Sequence, residues 1–133
     1  MGSIFRTGEF LGVRKLWLTG YTPAPPDPRI HKVSLGAEQT LPWEKVADIL
    51  DVIRRLKRRK VRVIGLELTG GATDLATYRP SAGSAVLLGN EVTGVPPSIL
   101  SLCDDVVMIT RSGKKESLNV SVAAGIACWS LLN

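Results

Sequence analysis

The stretch Leu87–Val95 reads LLGNEVTGV. It carries the apolar run Ser84–Leu88 straight into Gly89-Asn90-Glu91, with a second glycine at Gly94. Glycine permits unusual φ values and lets a ligand approach backbone N–H and C=O groups closely. The pattern therefore suits a pocket lined by main chain, with the Glu91 carboxylate at its rim. Two other segments follow apolar runs in the same way: Thr69-Gly70-Gly71 after Val61–Leu68, and Thr110–Asn119, TRSGKKESLN, after Asp105–Ile109. In open α/β sheets, ligands bind beyond the carboxyl ends of the strands. A plain connecting loop at Gly89–Glu91 and a simple helix cap at Asn119 would satisfy the same residues, so spacing alone leaves both readings open.

Other chemistries lack their residues. There is no GxGxxG and no GxxxxGK[ST], the fingerprints of dinucleotide and P-loop phosphate binding. One histidine and two cysteines provide no metal-ligand cluster, so no metal is expected. Cys128 sits in an apolar helical run and Cys103 before a strand-like run; both read as small core residues rather than a bridge or a nucleophile.

The elements that must position these segments follow from hydrophobic periodicity. Residues 3–11 look helical, and Lys15–Thr19 reads as a short strand. TPAPPDPR, residues 22–29, reads as an irregular, exposed proline loop. Pro42-Trp43-Glu44 is expected to open a long amphipathic helix reaching Arg59, with Val46, Ile49, Leu50, Ile53 and Leu56 on one face. Val61–Leu68, Ser84–Leu88 and Asp105–Ile109 read as strands, and Pro96–Leu100 as a short helix with proline in its first turn. Asn119–Leu132 is apolar nearly all round, so it should be buried in the domain or at a subunit interface. Strands alternating with helices give an α/β domain with mostly parallel core strands.

At 133 residues the chain suits one domain. No apolar run approaches the length of a membrane span and no signal-peptide pattern opens the chain; a soluble, cytoplasmic protein with no membrane partner is expected. The net charge of +5 suggests a polyanionic partner such as RNA. The run Arg54–Lys60, RRLKRRK, reads first as the solvated end of a helix, its charges complementing the helix dipole. Lys114 and Lys115, beside the strand-end segment, are better placed for RNA phosphates.

Three segments, taken in order, resemble the three motifs of the SpoU (TrmH) family of RNA 2′-O-ribose methyltransferases, within the SPOUT superfamily. Gly2-Ser3-Ile4-Phe5-Arg6-Thr7 resembles N-x-G-x-x-x-R-T. Leu87–Val95 resembles L-x-G-N-E-x-x-G. Ser117-Leu118-Asn119-Val120-Ser121-Val122-Ala123-Ala124 resembles S-L-N-V-S-x-A. The similarity covers almost the whole chain.

The resemblance implies a single-domain, parallel-sheet α/β knot over residues 1–133, its C-terminal part tied in a deep trefoil knot. It implies S-adenosyl-L-methionine as cofactor, a homodimer, and methyl transfer to a ribose 2′-hydroxyl of tRNA or rRNA. A non-catalytic RNA-binding knot protein and a knotted RNA base methyltransferase are the alternatives. Backbone around Leu88, Gly89, Ile109 and Leu118 would hold the adenine and ribose. Asn90, Glu91, Gly94, Ser117 and Asn119 complete the implied cofactor site. Arg6, Glu91, Ser117 and Asn119 match the catalytic positions, and Arg6, Lys114 and Lys115 the RNA contacts. A guanidinium is very hard to deprotonate, so Arg6 is expected to hold phosphate or stabilise oxyanion charge. Arg6 paired with Glu9, and Glu91 complementing the following helix, are the plainer alternatives. The family motif places an Asn one position before Met1 and a strand before that, inside the sheet. The natural protein is therefore expected to extend upstream and to supply that first strand.

Overall fold

The helix expected from Pro42 is split in two. A computed structural model describes residues 1–80, 83–90, 93–115 and 117–132. In it, Trp43–Val46 form a strand, and the helix begins at Ile49 and ends at Arg58. The strand wins because Trp43 through Val46 pair in parallel with Leu16 through Thr19, and Trp43 packs on the core around Phe5. The Lys45 ammonium donates to the Gly20 and Thr22 carbonyls, and Lys15 meets Glu44 at 3.0 Å. These non-local contacts override local helical spacing. The true start signal is Asp48, whose carboxylate accepts the Leu50 N–H at 2.9 Å.

The chain forms two compact units, Met1–Val52 and Ile53–Asn133. The first contains α1 (Gly2–Leu11), β1 (Leu16–Thr19), α2 (Pro28–Ser34), a 3-10 turn (Ala37–Gln39), β2 (Trp43–Val46) and the start of α3 (Ile49–Arg58). The proline stretch is irregular up to Asp27, and helix α2 begins within its last two residues, Pro28 and Arg29, and continues to Ser34. Pro28 stands in its first turn, and Asp27 caps it by accepting the Arg29 N–H at 2.9 Å. Phe5, Leu18, Ile30, Ala37 and Leu41 form the core of this unit.

The second unit holds a four-stranded sheet, ordered β4-β6-β3-β5, with every pairing parallel. Its strands are β3 (Arg62–Leu66), β4 (Thr73–Asp74), β5 (Ser84–Leu87) and β6 (Asp105–Met108). The short α4 (Pro97–Leu100) connects β5 to β6, and α5 (Val120–Leu132) follows β6. The expected α/β class with parallel strands is therefore present. Val63, Ile64 and Leu66 of β3 are buried between two neighbouring strands, which is why VRVIGLEL reads as a continuous apolar run.

Ile64, Leu66, Leu75, Val107 and Ala127 form the second core. Helix α5 buries Ala124 and Ala127 but leaves Leu118, just before it, and Val122, Ile126 and Trp129 between 42% and 61% exposed. No helix among the described residues is long and apolar enough to cross a membrane. Burial pushes both cysteine thiols up, in keeping with small, partly buried core residues.

Candidate functional site at the strand ends

Because β3, β5 and β6 run parallel, the segments that follow them share one edge of the sheet. After β5 the chain makes a closed turn. The Gly94 N–H donates to the Asn90 carbonyl at 2.8 Å, and the Thr93 N–H donates to the Asn90 side-chain oxygen at 3.3 Å. Asn90 and Gly94 form an isolated antiparallel bridge. Gly94 takes φ +68, a left-handed value that costs other residues about 1–2 kcal/mol. A Cβ on Gly89 would collide with the Gly94 carbonyl carbon and the Val95 nitrogen, which cannot move aside. Both glycines are thus required by geometry, at the positions where the sequence places them.

A residue outside the sequence expectations anchors this turn. The Glu67 carboxylate, just past β3, accepts the Val95 N–H at 2.7 Å. It also lies against the space that a Gly94 side chain would fill. The only sequence signal is a lone carboxylate near the end of VRVIGLEL, an otherwise apolar run after its opening arginine.

Leu88 and Ile109 pack against the same buried cluster, so the ends of β5 and β6 are brought together. Among the described residues, no main-chain partner serves the amide or carbonyl groups of Leu88, Gly89 or Ile109. After β6, the Thr110 hydroxyl bonds the Asp74 carboxyl. That bond, after the Ala76 N–H, keeps Asp74 below the ordinary carboxylate range. Arg111 donates to the Lys115 carbonyl at 3.2 Å, and Lys114 and Lys115 are exposed. Ser117, Leu118 and Asn119 are exposed before α5. Asn119 caps that helix: its side-chain oxygen accepts the Ser121 N–H at 2.9 Å and the Ser121 hydroxyl at 2.5 Å. The cap reading of Asn119 is therefore observed, and its exposure leaves a second role open.

Glu91 lies outside the described residues. Thr69-Gly70-Gly71 turns through an Ala72 N–H to Thr69 carbonyl bond, and neither glycine is crowded. Arg6 lies in the first unit, exposed on α1. Among the described residues it pairs with neither Glu9 nor any other group.

The strand-end turn and the segment before α5 hold two of the three sequence motifs. Residues 1–129 match the SpoU rRNA methylase family. The chain belongs to that family. Among SpoU-type relatives, the Mus musculus tRNA (guanosine(18)-2′-O)-methyltransferase TARBP1 is 34% identical over 131 residues, covering 97% of this chain and 8% of the relative. The 23S rRNA (guanosine-2′-O-)-methyltransferase RlmB of Acinetobacter baylyi is 32% identical over 130 residues, covering 97% of this chain and 52% of the relative. The chain thus spans about half the length of that bacterial relative.

Solved SpoU structures are similar throughout. AviRb from Streptomyces viridochromogenes, crystallised with AdoMet, aligns with a TM-score of 0.89 at 26% identity, covering 98% of this chain and 51% of that one. The A. aeolicus TrmH/SpoU tRNA-modifying enzyme aligns at 0.86 and 25% identity, covering 98% and 66%.

Proposed function

We propose that this chain carries the S-adenosyl-L-methionine site of an RNA ribose 2′-O-methyltransferase, and that tRNA or rRNA is its substrate. The observation that carries the reading is the Asn90–Gly94 closure beside main-chain groups of Leu88, Gly89 and Ile109 that have no main-chain partner among the described residues. Adenine is recognised through a planar edge of donors and acceptors, and free backbone amides and carbonyls between apolar side chains fit it. Relatives named as guanosine 2′-O-methyltransferases, and a SpoU neighbour crystallised with AdoMet, support the same assignment.

The cofactor, when bound, supplies a methyl group on a sulfonium. The protein's part is to align a ribose 2′-oxygen with that carbon and to exclude water. Leu88, Gly89, Ile109 and Leu118 hold the nucleoside through main chain, with Asn90 and Gly94 shaping the turn. Ser117 and Asn119, with Glu91 as the family motif implies, would serve the transferring group. Arg6 holds the target phosphate or stabilises the developing oxyanion through its guanidinium N–H donors. Lys114 and Lys115 contact flanking phosphates, with the salt dependence such contacts bring.

The remaining expectations belong to the same proposal. The segment after β6 passes through the deep trefoil knot, and the protein works in the cytoplasm. Two copies associate through Leu118, just before α5, and Val122, Ile126 and Trp129 on that helix, all exposed in the single chain. Light scattering on Ile126→Asp then reads a monomer where the parent chain reads a dimer.

Calorimetric titration of S-adenosyl-L-methionine tests the core of the reading. Saturation near one site per chain is expected, followed by methyl transfer to RNA that nuclease digestion and mass analysis assign to ribose. Absence of cofactor binding would overturn it.

A further inference from the structure

We propose that Glu67 is a positioning residue for the cofactor turn, and that its carboxylate fixes how the end of β5 stands against the end of β6. Three bonds carry this. The Glu67 N–H donates to the carbonyl of Val107, a fully buried residue of β6, at 3.0 Å. Its carboxylate, at the other end of the residue, accepts the Val95 N–H at 2.7 Å, 28 residues away in sequence. Val95 is itself buried, and its preceding residue, Gly94, closes the turn on Asn90 at 2.8 Å. Glu67 therefore ties the turn after β5 to the strand that delivers Ile109.

The packing agrees with that role. Gly94 has no side chain where the carboxylate lies, and Gly89 has none where Gly94 and Val95 lie. Glu67, Gly94–Val95 and Gly89 are stacked in that order, so displacing the carboxylate loosens the backbone at Gly89. A charged acceptor on a buried amide makes a stronger, shorter bond than a neutral one. Groups that orient ligand-holding residues from behind commonly control affinity without touching the ligand. Glu67 needs no contact with the cofactor or the RNA to act this way.

This inference rests on the cofactor reading above, and the experiment separates the two. S-adenosyl-L-methionine is titrated into the parent chain, Glu67→Ala, Glu67→Gln and Asp105→Asn, with amide hydrogen exchange followed at Val95. Glu67→Ala should weaken cofactor affinity about tenfold or more, as misplaced orienting groups do, and should speed exchange at Val95. Glu67→Gln keeps an acceptor oxygen and should recover most of both. Asp105→Asn loosens the opposite end of the sheet; it should lower the melting temperature and leave affinity unchanged, which controls for general destabilisation. If the parent binds and Glu67→Ala binds equally well, or if Glu67→Gln fails to rescue, the positioning role is wrong while the cofactor reading stands. If the parent does not bind the cofactor, both fall.

Discussion

Arg62 and Asp105 meet as a fork at the starts of β3 and β6, with Nε to Oδ2 at 2.5 Å and Nη2 to Oδ1 at 3.0 Å. The Tyr78 hydroxyl donates to the same Oδ2 at 2.6 Å. The Arg62 guanidinium, then the Tyr78 hydroxyl, hold the Asp105 carboxyl below the usual carboxylate range. Burial, then the bond to Asp105, holds the Tyr78 phenol above its usual value. The cluster closes the end of the sheet away from the Gly94–Val95 turn, so it bears on stability and not on the proposed site.

Its pH dependence has two limbs. Asp105 has a folded value below its ordinary 3.8, so its stabilisation is present above that pH and is lost as pH falls through the folded value. Tyr78 has a folded value above 10.0, so its contribution is present below pH 10.0 and is lost as pH rises through the folded value. Thermal unfolding across a pH series should show both losses. Asp105→Asn should lower the melting temperature at neutral pH and flatten the acid limb; an unchanged acid limb would contradict the assignment.

Gly94→Ala combines two penalties, a left-handed φ of +68 and a Cβ set against the Glu67 carboxylate. The expected cost is about 1–3 kcal/mol in denaturant unfolding. Only the second penalty depends on Glu67. A double-mutant cycle with Glu67→Ala should therefore show the Gly94→Ala cost falling, but not to zero, because the backbone strain persists. Strict additivity would mean that the carboxylate does not crowd this position.

Asn119 is given two tasks that substitutions can separate. Its side-chain oxygen caps α5 through Ser121, and loss of such a cap costs about 0.5–2 kcal/mol. Asn119→Ala should lose that stability together with methyl transfer. Asn119→Ser can accept the same N–H, so stability should return while transfer stays low. Recovery of both by serine would reduce Asn119 to a cap.

The strand-end segments of the candidate site were legible where their geometry is written in short-range sequence. The apolar run ending in Gly89-Asn90 and the capping Asn119 were both readable, because strand ends and helix starts have local signals. Glu67 was not, since a single carboxylate gains meaning only from the Val95 N–H that the fold brings to it. The same limit explains β2. Trp43–Val46 carries helical spacing, but its partner Leu16–Thr19 lies too far away in sequence to enter a local pattern. Helix α2 was hidden by its prolines, although Asp27 before Pro28 is a sound start signal. The order β4-β6-β3-β5 is a product of non-local pairing and has no periodic trace.

Arg6 allows the cleanest separation of chemistry from folding. It is exposed on α1 and bonded to nothing among the described residues, whereas its neighbours Ile4 and Phe5 are buried. Removing its side chain should therefore leave the unfolding curve almost unmoved; surface changes of this kind stay within about 0.5 kcal/mol. Affinity for S-adenosyl-L-methionine should also hold. Transfer to RNA should fall by about a hundredfold or more, the usual scale for a lost charge-stabilising group. Arg6→Lys should recover little if the guanidinium grips phosphate through two parallel N–H bonds, because an ammonium offers a single point of charge. Single-turnover transfer rates for the two variants, beside cofactor titrations of each, decide it. Transfer at the parent rate by Arg6→Ala would remove Arg6 from the mechanism.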